Sequence, residues 1–307
     1  MKKQICSMVA MAFCCIAIAL SGACGDNNSS GSEGNEKADS TFDVNMSSGN
    51  IVKVLENATG EITVNVKAFA ELKTNMQAQV YLGGENTTKI TINGGTEGAT
   101  LRITGYGVSA LCANSEGELV FKNITIEDNT NQQSGWNNWA TEFGGKIRFE
   151  NCTFKQEVLL RHDAKATFTD CTFTSTDSSR YAFWLQDGSA TLTNCEISGY
   201  RGIKVHENSD EDDVVKLIVE RCTFAELKSK PGLAFGTLDA TTEVVVQNST
   251  FISCNEWDNA EGGSLEGIDG FYESDGQLTS TFTFSYSDND IDGTPCSELT
   301  PQYNIAD

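Results

Sequence analysis

The sequence predicts an all-β solenoid whose coils each contribute three short strands, and two observations carry that prediction. Between residues 119 and 254 one phrase recurs six times: FKNITI, FENCTF, FTDCTF, LTNCEI, VERCTF and VQNSTF. On either side of each phrase apolar residues alternate with polar ones, as in Ile147-Arg148-Phe149 and Cys152-Thr153-Phe154, which is strand periodicity. The central residues Asn123, Asn151, Asp170, Asn194, Arg221 and Asn248 are spaced by 28, 19, 24, 27 and 27 residues. Similar but unequal intervals describe stacked coils joined by loops of varying length.

Each central residue is expected to bend the chain between two strands, because Asn and Asp tolerate the left-handed backbone region and bond nearby backbone groups. Arg221 departs from that chemistry, so its coil is expected to use another turn geometry or to carry strain. Aligned, the phrases give three inward columns. The first runs Phe121, Phe149, Phe168, Leu192, Val219 and Val246; the second Ile124, Cys152, Cys171, Cys195, Cys222 and Ser249; the third Ile126, Phe154, Phe173, Ile197, Phe224 and Phe251. Like stacks on like at the ~4.8 Å spacing of parallel strands. A further strand precedes each phrase, in VSALCA (108–113), EVLLRH (157–162), YAFWLQ (181–186), GIKV (202–205) and LAFGT (233–237).

This cycle of strand, loop, strand, Asn-type turn and strand resembles the right-handed parallel β-helix proteins of the pectate-lyase-like superfamily over roughly residues 90–290. The resemblance implies an architecture and leaves function open. The expected organisation is a secretory leader over 1–24, a linker over 25–41, an N-terminal cap with first strands over 42–89, the β-helix over 90–290 and a tail over 291–307. About nine coils make a column ~40 Å long. A short capping helix is read over 48–57, where Ile51, Val54 and Leu55 have helical spacing, because an open solenoid end exposes core and strand edges. EITVNV, TKITINGG and ATLRITGYG read as the first strands, residues 67–80 as helix or loop, and LTSTFTFSYS as the clearest last strand.

Lys2 and Lys3, the apolar run from Met8 to Leu20 and Ser21-Gly22-Ala23-Cys24 have the three-part layout of a secretory signal. The final residues resemble a bacterial lipobox with Cys24 as the lipidation site, although the leucine stands four places before it. The polar segment after Cys24 reads as a tether spanning ~23 Å. Together these imply a protein anchored to a membrane by lipid, and Gly25 favours the outer membrane or cell surface. Without Lys2 and Lys3 the chain has 19 basic against 43 acidic residues, a formal charge of −24. No basic cluster is present, which argues against nucleic acid as a partner.

By fold-level analogy, a polysaccharide would lie along the outer face of the ladder that precedes the phrases. Counting back seven residues from Phe149, Phe168 and Leu192 places Glu142, Arg161 and Leu185 in one column and Phe143, His162 and Gln186 in the next. Lys204 and His206 should also face outward. Both histidines of the chain therefore fall on this ladder, near Arg161 and Lys204. A lyase needs a base and a stabilising cation, so Arg161, His162, Lys204 and His206 are the catalytic candidates. Against an enzyme, the chain has neither the paired aspartates of polygalacturonase-like hydrolases nor the Arg-x-Pro-x-x-Arg segment of pectate lyases.

For glycan binding, Trp136 and Trp139 lie in the polar loop NTNQQSGWNNW, while Trp184, Gln186, Tyr200 and Arg201 lie on or beside the strand ladder. The loop HENSDEDD offers Glu207, Asp210, Asp212 and Asp213 as calcium ligands, without EF-hand spacing. No other cofactor is expected. The leading reading is a surface-displayed β-helix that binds a glycan or another extracellular polymer. A polysaccharide lyase or glycoside hydrolase with an atypical site, and a structural or adhesive rod, are the alternatives.

Overall fold

Each phrase folds as its alternation requires: the strand Lys146–Glu150 buries Ile147 and Phe149 and turns Lys146, Arg148 and Glu150 outward. A computed structural model describes residues 40–44, 51, 55, 59–74, 79–83, 86–105, 109–113, 117–128, 140–174, 181–199, 202–205, 214–225, 227, 233–235, 242–252, 283–291 and 293–296. All belong to one unit, residues 37–307. Among them the chain winds through three sheets of ten, ten and seven strands, here named A, B and C and parallel throughout except for the last strand of sheet B. Sheet A holds the strands before the one-residue turns, such as Lys146–Glu150, and sheet B those after them, such as Thr172–Thr174. Sheet C stacks Gln79–Leu82, Ser109–Ala113, Ala140–Gly144, Glu157–Leu160, Phe183–Leu185, Ile203–Val205 and Leu233–Phe235. The helix expected over 48–57 falls outside the described residues except for Ile51 and Leu55, both fully buried.

The inward columns stack in the expected register. Phe121, Phe149 and Phe168 lie ring on ring at 5.1 and 4.8 Å, Phe154 on Phe173 at 4.6 Å and Phe224 on Phe251 at 4.7 Å. These side chains are fully buried, so each coil completes the core of its neighbours.

The turn residues Asn123, Asn151, Asp170, Asn194, Arg221 and Asn248 all have φ between 51° and 55°. Arg221 therefore keeps the common geometry, and of the two expected departures only strain is left: a left-handed residue that is not Gly, Asn or Asp costs on the order of 1–3 kcal/mol. On the outside, the turn side chains form an amide ladder. Asn151 donates to Asn123, Asn123 to Asn93, Asn93 to Asn65 and Asn65 to Asp43, at 2.9–3.3 Å. A second run goes from Arg221 to Asn194 and from Asn194 to Asp170. Both runs end at an aspartate because a carboxylate has no donor to pass on. The second also stops at Arg221, which has no acceptor to offer Asn248.

On the inside, the second column forms another ladder. Cys152, Cys171, Cys195 and Cys222 are buried free thiols, and each donates to the carbonyl two residues earlier. The thiol of Cys222 accepts the N–H of Cys195, the hydroxyl of Ser249 that of Cys222, and the amide of Asn289 that of Ser249. The column thus satisfies backbone donors that the bend at each turn removes from the sheets.

Three expectations are corrected. Residues 69–74 and 79–82, which take up most of the segment 67–80 read as helix or loop and run two residues past it, are strands of sheets B and C. The tether's last residues, Ser40 and Thr41, already pair with Ile62 and Thr63 on sheet A. Thr283–Ser287 is not the last strand, because Asp288 makes a further left-handed turn into Asn289–Ile291, and Thr294–Cys296 returns antiparallel along it within the segment read as a tail.

The two ladders make testable demands. Cys222→Ser should leave the urea unfolding midpoint nearly unchanged, whereas Cys222→Val, which strips the Cys195 N–H of its acceptor, should cost ~1–3 kcal/mol. Asp170→Asn supplies the missing donor to Asn151 and should raise stability by up to ~1 kcal/mol in the same measurement. The hydrogen bond to the Cys171 thiol, with burial, pushes the Cys195 thiol from 9.0 up to about 12, and Cys171 and Cys222 are raised likewise. A raised thiol stabilises the fold fully below its unfolded value and loses that contribution as pH climbs through the folded one. Unfolding midpoints should therefore fall between pH 9 and 12, and fall less in Cys195→Ser.

Candidate functional site

On sheet C the inward positions are filled by Val158, Leu160, Phe183, Leu185, Ile203 and Val205, all fully buried. The residues between them point out. Register places Glu142, Leu159, Trp184 and Lys204 in one outward column on successive coils. Arg161 and Gln186 follow their strands directly; their N–H groups bond the carbonyls of Phe143 and Leu160, so they occupy matching places one coil apart.

This corrects the column read from sequence. Glu142 pairs with Leu159 instead of Arg161, Leu185 pairs with Leu160, and Phe143 is aligned with Leu160 and Leu185 and not with His162. A fixed count of seven fails because the links from sheet C to sheet A differ in length. Gly145 alone makes the first, Arg161, His162 and Asp163 the second, and Gln186 and Asp187 the third.

The longer second link builds the site. His162 and Asp163 are both left-handed, at φ 58° and 53°, and the His162 carbonyl is held by the Gly145 N–H at 3.1 Å. Asp187 on the next coil accepts the Asp163 N–H at 2.7 Å. Gly188 brings Asp187 close, since a Cβ there would lie 2.1 Å from the Ala164 carbonyl oxygen and only glycine fits. The turn directs both Arg161 and His162 back to Glu142. Arg161 Nη1 donates to Oε1 at 3.1 Å, and His162 Nε2 lies 3.2 Å from Oε2.

Glu142 has a side chain only 8% exposed, whereas Arg161 and His162 are about one-third exposed, at 33% and 31%. A buried carboxylate is costly unless its oxygens are satisfied, and here each oxygen has its own partner. On the following coils the Lys204 ammonium lies 4.2 Å from the centre of the Trp184 ring and 5.7 Å from that of Tyr181. Such contacts hold the indole in place on a partly exposed strand. Glu157, also buried, accepts the Tyr181 N–H at 3.2 Å and ties the start of that strand to the neighbouring coil.

The structure therefore brings together Arg161, His162, Trp184, Gln186 and Lys204 on one face. Trp136, Trp139, Tyr200, Arg201 and His206, the acidic loop residues Glu207, Asp210, Asp212 and Asp213, and Cys24 lie outside the described residues. Sequence reading missed the part played by Glu142, whose only signal was a charged residue in the middle of a strand, and the Tyr181 ring beneath Lys204. It also missed Asp187, which only the coil register brings to the Asp163 turn.

Searches of curated proteins and of solved structures return no match. A family profile described as the right handed beta helix region matches residues 139–296, just over half of the 307 residues and the part that contains this face. With the parallel three-sheet winding, that match places the chain in the right-handed β-helix family.

Proposed function

We propose that this protein binds a glycan along the outer face of sheet C. The observation that carries the reading is the single outward column in which Trp184 and Lys204 follow Glu142, flanked by Arg161, His162 and Gln186. It offers a restrained aromatic plane beside fixed hydrogen-bonding groups, the combination that sugar rings require. In this reading Cys24 carries a lipid, the segment behind it is a tether, and the β-helix is displayed at the outer membrane or cell surface. The polar loop with Trp136 and Trp139, which in sequence leads into the strand Ala140–Gly144, and calcium at the 206–213 loop belong to the same proposal.

One observation favours a second reading, an atypical polysaccharide lyase or hydrolase. The Glu142 contact to His162 orients an imidazole, as a general base requires. An enzyme would release unsaturated uronates or new reducing ends from a polysaccharide, and His162→Ala would abolish the release.

For binding, Trp184→Ala is the informative substitution, because removing Arg161 would strand a buried carboxylate and confuse binding with folding. The variant should keep the wild-type unfolding midpoint within ~1 kcal/mol while weakening retardation in polysaccharide-containing native gels by about tenfold or more. Unchanged retardation would remove sheet C from the binding face.

A further inference from the structure

We infer that the sheet C face selects a neutral, hydroxyl-rich polymer and turns polyanions away. The inference rests on the glycan-binding reading above and narrows it. Its basis is the charge that the face presents once its contacts are counted. Among the described residues Arg161 and Lys204 stand with the carboxylates Glu142, Asp163 and Asp187, while Glu157 is buried against the Tyr181 N–H and the exposed Lys146 and Lys165 belong to sheet A. The guanidinium of Arg161 is already engaged by Glu142 at 3.1 Å, so a uronate or sulfate would have to compete with a buried carboxylate that has nowhere else to turn.

Lys204 lies over two aromatic rings, which places its charge within the aromatic platform. The carboxylates beside this face raise the cost of bringing in a polyanion and cost a neutral chain nothing.

His162 supports the same choice. Its Nε2 lies 3.2 Å from the Glu142 carboxylate, so the ring is engaged by an acidic partner and does not stand free to meet a polyanion. Gln186, at the matching place on the next coil, offers both a donor and an acceptor. A face composed of an amide and an aromatic plane matches a polyol.

The test is native affinity electrophoresis of the full-length chain through gels containing neutral polymers (mannan, unsubstituted xylan, mixed-linkage β-glucan) or polyanions (polygalacturonate, alginate). Glu142→Gln and Asp163→Asn are run alongside. The expected result is retardation by at least one neutral polymer and none by either polyanion. Asp163→Asn, less negative by one charge, should gain measurable retardation on polygalacturonate where the wild type shows none, with its neutral retardation kept; Glu142→Gln should gain it too and is read on the polyanion alone, because Glu142 holds Arg161 and His162. Asp163 is exposed, so Asp163→Asn answers the question even if the Glu142 variant folds poorly. Retardation of the wild type by a polyanion overturns the inference and leaves the glycan-binding reading standing. So does a neutral binder whose Asp163→Asn variant gains nothing on polygalacturonate. Retardation by no polymer overturns both.

Discussion

Everything in this molecule depends on parallel pairing of a coil with its successor in register. In a parallel ladder each residue stands over its equivalent one strand spacing away, so a column of side chains is a structural unit in its own right. Aromatic columns answer by stacking at 4.6–5.1 Å, close to the spacing the backbone imposes. Their apolar area supplies the driving force, and the nearly parallel rings show that the core adapts to the strand repeat.

The same constraint explains why polar groups also come in columns. A one-residue left-handed turn takes backbone donors out of the sheets in every described coil from residue 118 onward, and each must find a partner. Outside, amides hand a hydrogen bond from coil to coil until an aspartate or an arginine ends the run. Inside, thiols do it, and where the thiols stop a serine and then an asparagine continue the pattern. Cysteine, serine and asparagine are unlike in polarity and alike in providing an acceptor at that place. The inner ladder therefore selects for hydrogen bonding within a small volume, which a count of apolar residues would not reveal.

Much of the fold was legible because a repeat writes its contacts several times over. The six phrases gave the turns, three inward columns and the sheet A to sheet B junctions. What escaped reading was written once. The coil FSYSDNDI keeps the turn and the hydrogen-bonding column but replaces cysteine by Asn289, and the segment 69–82 makes strands without a phrase to mark it. The candidate face was legible in its residue types and misread in its register. The links from sheet C to sheet A hold one, three or two residues in successive coils, and the difference is settled by how each turn closes in space. Nothing in the order of letters says that Arg161 and His162 fold back on Glu142 from the neighbouring coil.

That variation also explains why a site would form on sheet C and not elsewhere. Between sheets A and B, every coil from residue 118 onward must spend one left-handed residue and resume the ladders, so a change of length there would break pairing on both sides. Sheet C is bounded at both ends by links of free length, and its strands are as short as three residues. An insertion beside it disturbs neither ladder. The two extra residues of the Arg161-His162-Asp163 link, relative to Gly145, convert a tight crossing into a turn that carries a guanidinium and an imidazole to a buried carboxylate. The regular two-thirds of each coil holds the register, and the remaining third is left free to differ, which is where chemistry can be added without unfolding the column.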